Sequence, residues 1–279
     1  MLKFADDLKV FRAVKSESDQ ETLQMDLDKL VEWSEDWQMK FNVKKCKVMR
    51  IGRQKFNSLY KMGGQALDEI EHEKDLGVMV NSKLGSSEQC REARKKGLRM
   101  LAAINRNVCY KNEKVIKKLY TAYVRPHLEY CVQAWSPTYE KDCWLLERVQ
   151  KRATKMITGL KGLAYDARLK KLDMFSLRYR RLRGDLIEVF KFFKGQEQGY
   201  LRGMFELNRN RATRGHNLKI KVNYSRTRLR QSFFTIRVVQ HWNQLPDFIV
   251  NSTSLQAFKS GLDKYFKENG VAYKYSRAN

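Results

Sequence analysis

The hydrophobic period of this chain changes once, near Ser86, and that change limits the fold more than any single motif does. Before it, apolar residues come in short alternating runs: Leu2 and Phe4 around Lys3, then Asp6-Asp7, then Leu8, Val10 and Phe11. Runs of this kind specify short strands around turns. One helix interrupts them, predicted over about 18–38. Ser18 is its expected N-cap, Glu21 the capping-box partner, and Leu23, Leu27, Leu30, Val31, Ser34 and Trp37 recur at helical spacing. A strand is expected over 45–51, closed by Gly52, and another over 76–80. Between them, 60–67 reads as a hairpin whose Gly63-Gly64 pair supplies positive φ. After Ser86 the spacing becomes that of amphipathic helices, over 87–106, 113–123, 141–158, 174–194 and 254–267. The fold class expected is α+β first and mainly helical afterwards.

The charge divides at the same place. Of 56 Lys and Arg against 31 Asp and Glu, residues 1–85 hold fifteen of each sign, so the whole excess of +25 lies in 86–279. An excess confined to one region marks a surface for a polyanion, and nucleic acid is the natural partner. Residues 207–246 carry nine basic and no acidic side chains. Arginines are dense at Arg178, Arg180, Arg181 and Arg183, read as mostly outward on their helix. Arg226, Arg228 and Arg230 alternate, so an extended strand would set all three on one face. With Arg214, these are the candidate phosphate contacts, since the planar guanidinium fork suits phosphate. Tyr224, Phe233 and Phe234 are candidates for stacking on unpaired bases. Trp33, Trp37, Trp135 and Trp242 read as core.

No apolar run is long enough to cross a membrane, and the acidic turn at Asp6-Asp7 comes too early for a signal-peptide core. The five cysteines are scattered, form no CxxC pair and have no histidine cluster beside them. They read as buried hydrophobes in a reducing compartment, nuclear or cytoplasmic, and zinc is not expected.

Phe4-Ala5-Asp6-Asp7 is the sharpest motif. Adjacent carboxylates at a tight turn repel one another unless a cation or strong donors lie close, and hard oxygen ligands suit Mg²⁺. Flanked by β segments, this stretch resembles the polymerase motif C of reverse transcriptases. The stretch Leu23-Gln24-Met25-Asp26-Leu27-Asp28-Lys29-Leu30, then Trp33 to Met39, then Phe41-Asn42-Val43-Lys44-Lys45-Cys46-Lys47-Val48-Met49 resembles motif D. It does so most closely as found in non-LTR (LINE-type, jockey-like) retrotransposon enzymes. Lys74-Asp75-Leu76-Gly77-Val78 falls where that family has motif E, the primer grip. Arg125-Pro126-His127-Leu128-Glu129-Tyr130-Cys131, Ala134-Trp135-Ser136-Pro137, residues 146–155, Thr213-Arg214-Gly215-His216 and 237–246 extend the resemblance collinearly to the family's C-terminal region.

The resemblance implies a truncated palm at 1–85, a helical thumb at 86–160 and a basic C-terminal region at 161–279. It implies Mg²⁺, dNTP and an RNA template on a DNA primer, with Asp6 a metal ligand and Asp7 its weaker neighbour. Asn42 and Lys45 match an Asn-x-x-Lys pattern that would bring Lys45 to the triphosphate and its leaving group. Phe4 stands where Tyr is commoner. The motif A carboxylate and fingers have no counterpart here, since only three residues precede Phe4. The expectation is therefore a nucleic-acid-binding fragment of an RNA-directed DNA polymerase, inactive alone. The alternatives are a non-enzymatic basic nucleic-acid-binding protein and a remnant without function.

Overall fold

The computed structural model describes residues 1–52, 59–195, 203–208 and 215–274. They form two compact units, Met1–Leu84 and Gly85–Asn279. The architecture is α+β, with every named strand in the first unit.

In the first unit β1 (Leu2–Phe4) and β2 (Asp7–Lys9) make a hairpin in the register Phe4↔Asp7, with Ala5-Asp6 as its turn. Ala5 has φ 52°, a conformation that costs a β-carbon-bearing residue about 1–2 kcal/mol. Helix α1 (Glu17–Asp36) begins two residues earlier than expected. Ser16 caps it and Asp19 closes the capping box, because Asp19 accepts the Lys15 and Ser16 N–H groups where Glu21 would not reach them. Strand β3 (Lys47–Val48) is shorter than the 45–51 run, since a 3₁₀ turn (Val43–Lys45) takes up its start. It pairs in parallel with β6 (Asp68–Glu69). The Gly63-Gly64 hairpin forms as expected between β4 (Lys61–Met62) and β5 (Gln65–Ala66), with both glycines at positive φ.

The run 76–80 resolves differently. Leu76 and Gly77 are the turn, at φ 43° and 87°, joining β7 (His72–Asp75) to β8 (Val78–Asn81). The β7 strand, all polar, carried no apolar alternation to reveal it. A small core of Tyr60, Met62 and Leu67 packs against Leu23, Leu27, Leu30 and Val31. Gln24 fastens helix to hairpin, donating to the Lys61 carbonyl and accepting its N–H, both at 2.9 Å. Trp33 and Trp37 are 42% and 67% exposed, not core, because the inward stripe of α1 is already filled by leucine and valine.

The second unit is helical. Helix α2 (Ser87–Asn107) is followed by α3 (Glu113–Leu119), a π-helical turn (Tyr120–Val124) and α4 (Arg125–Glu129). The π turn answers Pro126, whose ring clashes with the carbonyl four residues back in an α-helix and whose nitrogen donates nothing. Next come α5 (Val132–Trp135), α6 (Glu140–Lys155), α7 (Tyr165–Lys171) and α8 (Leu177–Phe193). Four short helices follow, α9 (Arg228–Gln231), α10 (Phe234–Arg237), α11 (Val239–Asn243) and α12 (Asp247–Val250), then α13 (Leu255–Glu268). Gly97 of α2 lets α4 and α6 approach: a β-carbon there would stand 3.0 Å from the Leu128 side chain and 3.4 Å from Val149. Trp242 and Trp135 are buried, as expected, Trp242 among aromatics that include Phe193 and Phe258.

Within the compact unit Gly85–Asn279, hydrogen bonds cross residue 160. Glu147 of α6, wholly buried, accepts the Leu177 N–H at the start of α8 at 3.1 Å and the Tyr165 hydroxyl at 2.5 Å. Gln150 accepts from Tyr120 at 2.8 Å and donates to the Phe175 carbonyl at 3.0 Å. Burial pushes the Glu147 carboxyl above its ordinary 4.5, opposed by the Tyr165 hydroxyl and the Arg181 charge. A raised folded value means that this group's stabilisation is complete below 4.5 and is lost as the pH climbs through the folded value. The isosteric Glu147→Gln has no such loss. Its unfolding free energy relative to wild type should therefore rise between 4.5 and neutrality, measured by urea denaturation at several pH values. A difference that stays flat over that window would contradict a buried carboxylate.

Candidate nucleic-acid interface

The predicted catalytic residues are all at the surface, and Lys45 is not joined to the aspartate pair. Asp6 and Asp7 are exposed, one in the turn and one opening β2, and Lys45 is exposed at the end of its 3₁₀ turn. Among the described residues no hydrogen bond or ion pair joins Lys45 to either aspartate, and no group of three His, Cys, Asp or Glu is arranged to hold a metal ion. One carboxylate pair falls short of the ligand set that a two-ion clamp requires. The hairpin itself has the form the motif needs, a tight turn presenting adjacent carboxylates.

The arginines of α8 are used inside the fold. Arg181 is 5% exposed, a correction to its outward assignment, and its charge faces Glu147, Asp185 and the buried thiols of Cys90 and Cys143. Arg180 clamps Glu129 with both fork nitrogens, and Arg183 does the same to Asp263 at 2.6 and 3.0 Å. Arg178 is half-exposed but pairs with Glu140 at 2.7 Å. Arg226, Arg228 and Arg230 do not alternate on a strand: Thr227 accepts the Arg230 N–H and starts the short α9 instead. All three remain exposed. Arg214 lies outside the described residues. Phe234 packs against the core and Phe233 lies beneath Arg230, leaving Tyr224 the one fully exposed stacking candidate of the three.

Two of the cysteines, Cys90 and Cys143, are buried as expected, and burial pushes the Cys90 thiol up to about 12. Cys109 and Cys131 are exposed, which corrects their reading as core.

A cationic face that residue density did not reveal lies along α2 and α6. The Ser87 hydroxyl donates to Asp142 at 2.5 Å, so the two helices start at the same end. Farther along, Arg94, Trp144, Arg148, Lys151, Arg152 and Lys155 line a groove of about 260 Å³. Arg148, Lys151, Arg152 and Lys155 follow the helical i, i+3, i+4, i+7 spacing on one side of α6. The Lys151 ammonium lies 4.9 Å from the centre of the Trp144 ring, a cation–π contact that leaves it without a carboxylate. Among the described residues none of the five cations pairs with a carboxylate. Such a row can hold successive phosphates of a nucleic-acid backbone without reading bases.

Among the described residues no helix is long and apolar enough to cross a membrane. Compared with known proteins, the chain matches no family model, no curated protein and no solved structure.

Proposed function

We propose that the second unit grips the phosphate backbone of a template–primer, and that the chain is the C-terminal portion of a non-LTR retrotransposon reverse transcriptase. The observation that carries the backbone grip is the row of cations on α2 and α6, none of which pairs with a carboxylate among the described residues, in the part of the chain that holds the whole +25 excess. Two hairpins support the polymerase ancestry. One turns at Ala5-Asp6 beside Asp7, and the other turns at Leu76-Gly77 within the stretch that resembles the primer grip. On this reading dNTP, Mg²⁺ and an RNA–DNA hybrid are the ligands of the complete enzyme, and the compartment is nuclear or cytoplasmic. The second reading is a basic nucleic-acid-binding protein without catalysis, which the same cation row would serve.

Fluorescence anisotropy of the full chain on a labelled RNA–DNA hybrid, titrated with salt, tests the shared claim. The logarithm of affinity should fall linearly with the logarithm of salt, with a slope of about −0.9 per phosphate engaged. A slope near zero would refute backbone binding. Primer extension on a homopolymer template with Mg²⁺ separates the two readings. No incorporation is expected, and incorporation abolished by Asp6→Asn would restore a competent active site.

A further inference from the structure

Tyr139 stands at the start of α6, 45% exposed, and its side chain makes no capping bond to the helix it precedes. Lys141 lies 5.5 Å from its ring centroid and Arg228, brought in by α9, lies 5.9 Å away. The nearest acid in sequence, Glu140, is occupied by Arg178 at 2.7 Å. Among the described residues neither Lys141 nor Arg228 has a carboxylate partner. Segments far apart in sequence thus converge on one half-exposed aromatic face ringed with positive charge. Arg148, the first cation of the α6 row, is nine residues on, about 13 Å along the helix.

We propose that Tyr139, Lys141 and Arg228 form a second nucleic-acid site, selective for an unpaired strand. The inference rests on the backbone grip of α2 and α6 and adds to it a site for bases that have left the duplex. Once Lys141 and Arg228, which lie over the ring, swing to the phosphates, the half-exposed ring offers a stacking platform to a base whose own face is free, and a paired base within a duplex has none to give. The flanking ammonium and guanidinium groups suit the phosphates on either side of the stacked nucleotide, and a guanidinium can itself stack. Stacking tolerates any base, so the site takes RNA or DNA with little sequence preference.

The test compares a labelled short oligouridylate with a blunt RNA–DNA hybrid on the full chain. Tyr139→Ala should weaken the single strand about tenfold and leave the hybrid within about twofold, while Tyr139→Phe keeps the ring and the affinity. Arg228→Gln is a second variant that keeps the Tyr139 ring and removes only the guanidinium over it, and it should lower the single-strand salt slope by about one. If Tyr139→Ala and Arg228→Gln leave single-strand binding unchanged while the hybrid still binds with a steep salt slope, this site fails and the grip survives. If the hybrid shows no salt dependence, the grip itself fails. Equal losses on both ligands would also overturn the selectivity claimed for Tyr139.

Discussion

Arg237→Ala should cost the second unit about 3–5 kcal/mol, the scale for stranding one partner of a buried ion pair. Arg237 forks onto Asp185 with Nε and Nη2 each at 2.9 Å, and the Asp185 side chain is 5% exposed. The same guanidinium donates to the Ser232 carbonyl at 2.8 Å and the Gln133 carbonyl at 3.2 Å. One side chain thus ties α10 to α8 and to α5. Truncation strands the buried Asp185 carboxylate and removes the donor to the Ser232 and Gln133 carbonyls. Arg237→Lys should rescue little, because a single ammonium cannot span both carboxylate oxygens and two carbonyls. The double change Asp185→Leu with Arg237→Met should recover most of the loss, since apolar residues of similar volume carry no stranded charge. Urea unfolding followed by tryptophan fluorescence reads all four proteins. A loss below about 1 kcal/mol for Arg237→Ala would mean that water reaches the pair and that the knot is not structural.

That knot also explains why composition misled about charge. Arg237 sits in the acid-free stretch 207–246, yet its partner is fifty-two residues away on α8. An arginine's neighbours in sequence say nothing of its neighbours in space. The helical period, by contrast, held the answer for Arg181. Leu177, Arg181 and Asp185 are spaced four apart, and Leu177 and Asp185 are both buried, so Arg181 belongs to the same inward stripe. Residues 178, 180, 181 and 183 are spread around the whole helix circumference, so they could not all face water. Counting arginines hid what spacing showed.

Where local chemistry decides structure, the sequence was legible. Gly63-Gly64 set its hairpin, the turn at Asp6 formed, and the helical period after Ser86 located α2, α6, α8 and α13 to within a few residues. The misses arose where tertiary or capping contacts compete with pattern. Thr227 captured the Arg230 N–H and turned an apparent strand into α9. Asp19, not Glu21, closed the cap of α1. The α6 cation row was written at regular spacing, but its value became visible only once α2 supplied Arg94 beside it and, among the described residues, none of the row paired with a carboxylate.

Replacing Arg148, Arg152 and Lys155 together by glutamine should reduce the salt slope of hybrid binding by roughly 2–3 and weaken affinity at moderate salt on the order of 100-fold. All three are exposed and unpaired among the described residues, so unfolding free energy should change by less than about 0.5 kcal/mol. The contrast with α8 makes the result diagnostic. Arg180 and Arg183 are already engaged by Glu129 and Asp263. Arg180→Gln and Arg183→Gln should therefore lower stability and leave the slope nearly intact. An interface drawn by arginine density predicts the reverse, with the slope carried by α8. A generic attraction between a basic protein and a polyanion predicts the same loss per charge removed from either set. A slope unchanged by the α6 variant would remove this face from the interface. A slope that falls with α6 and not with α8 ties binding to charges that the fold leaves without partners.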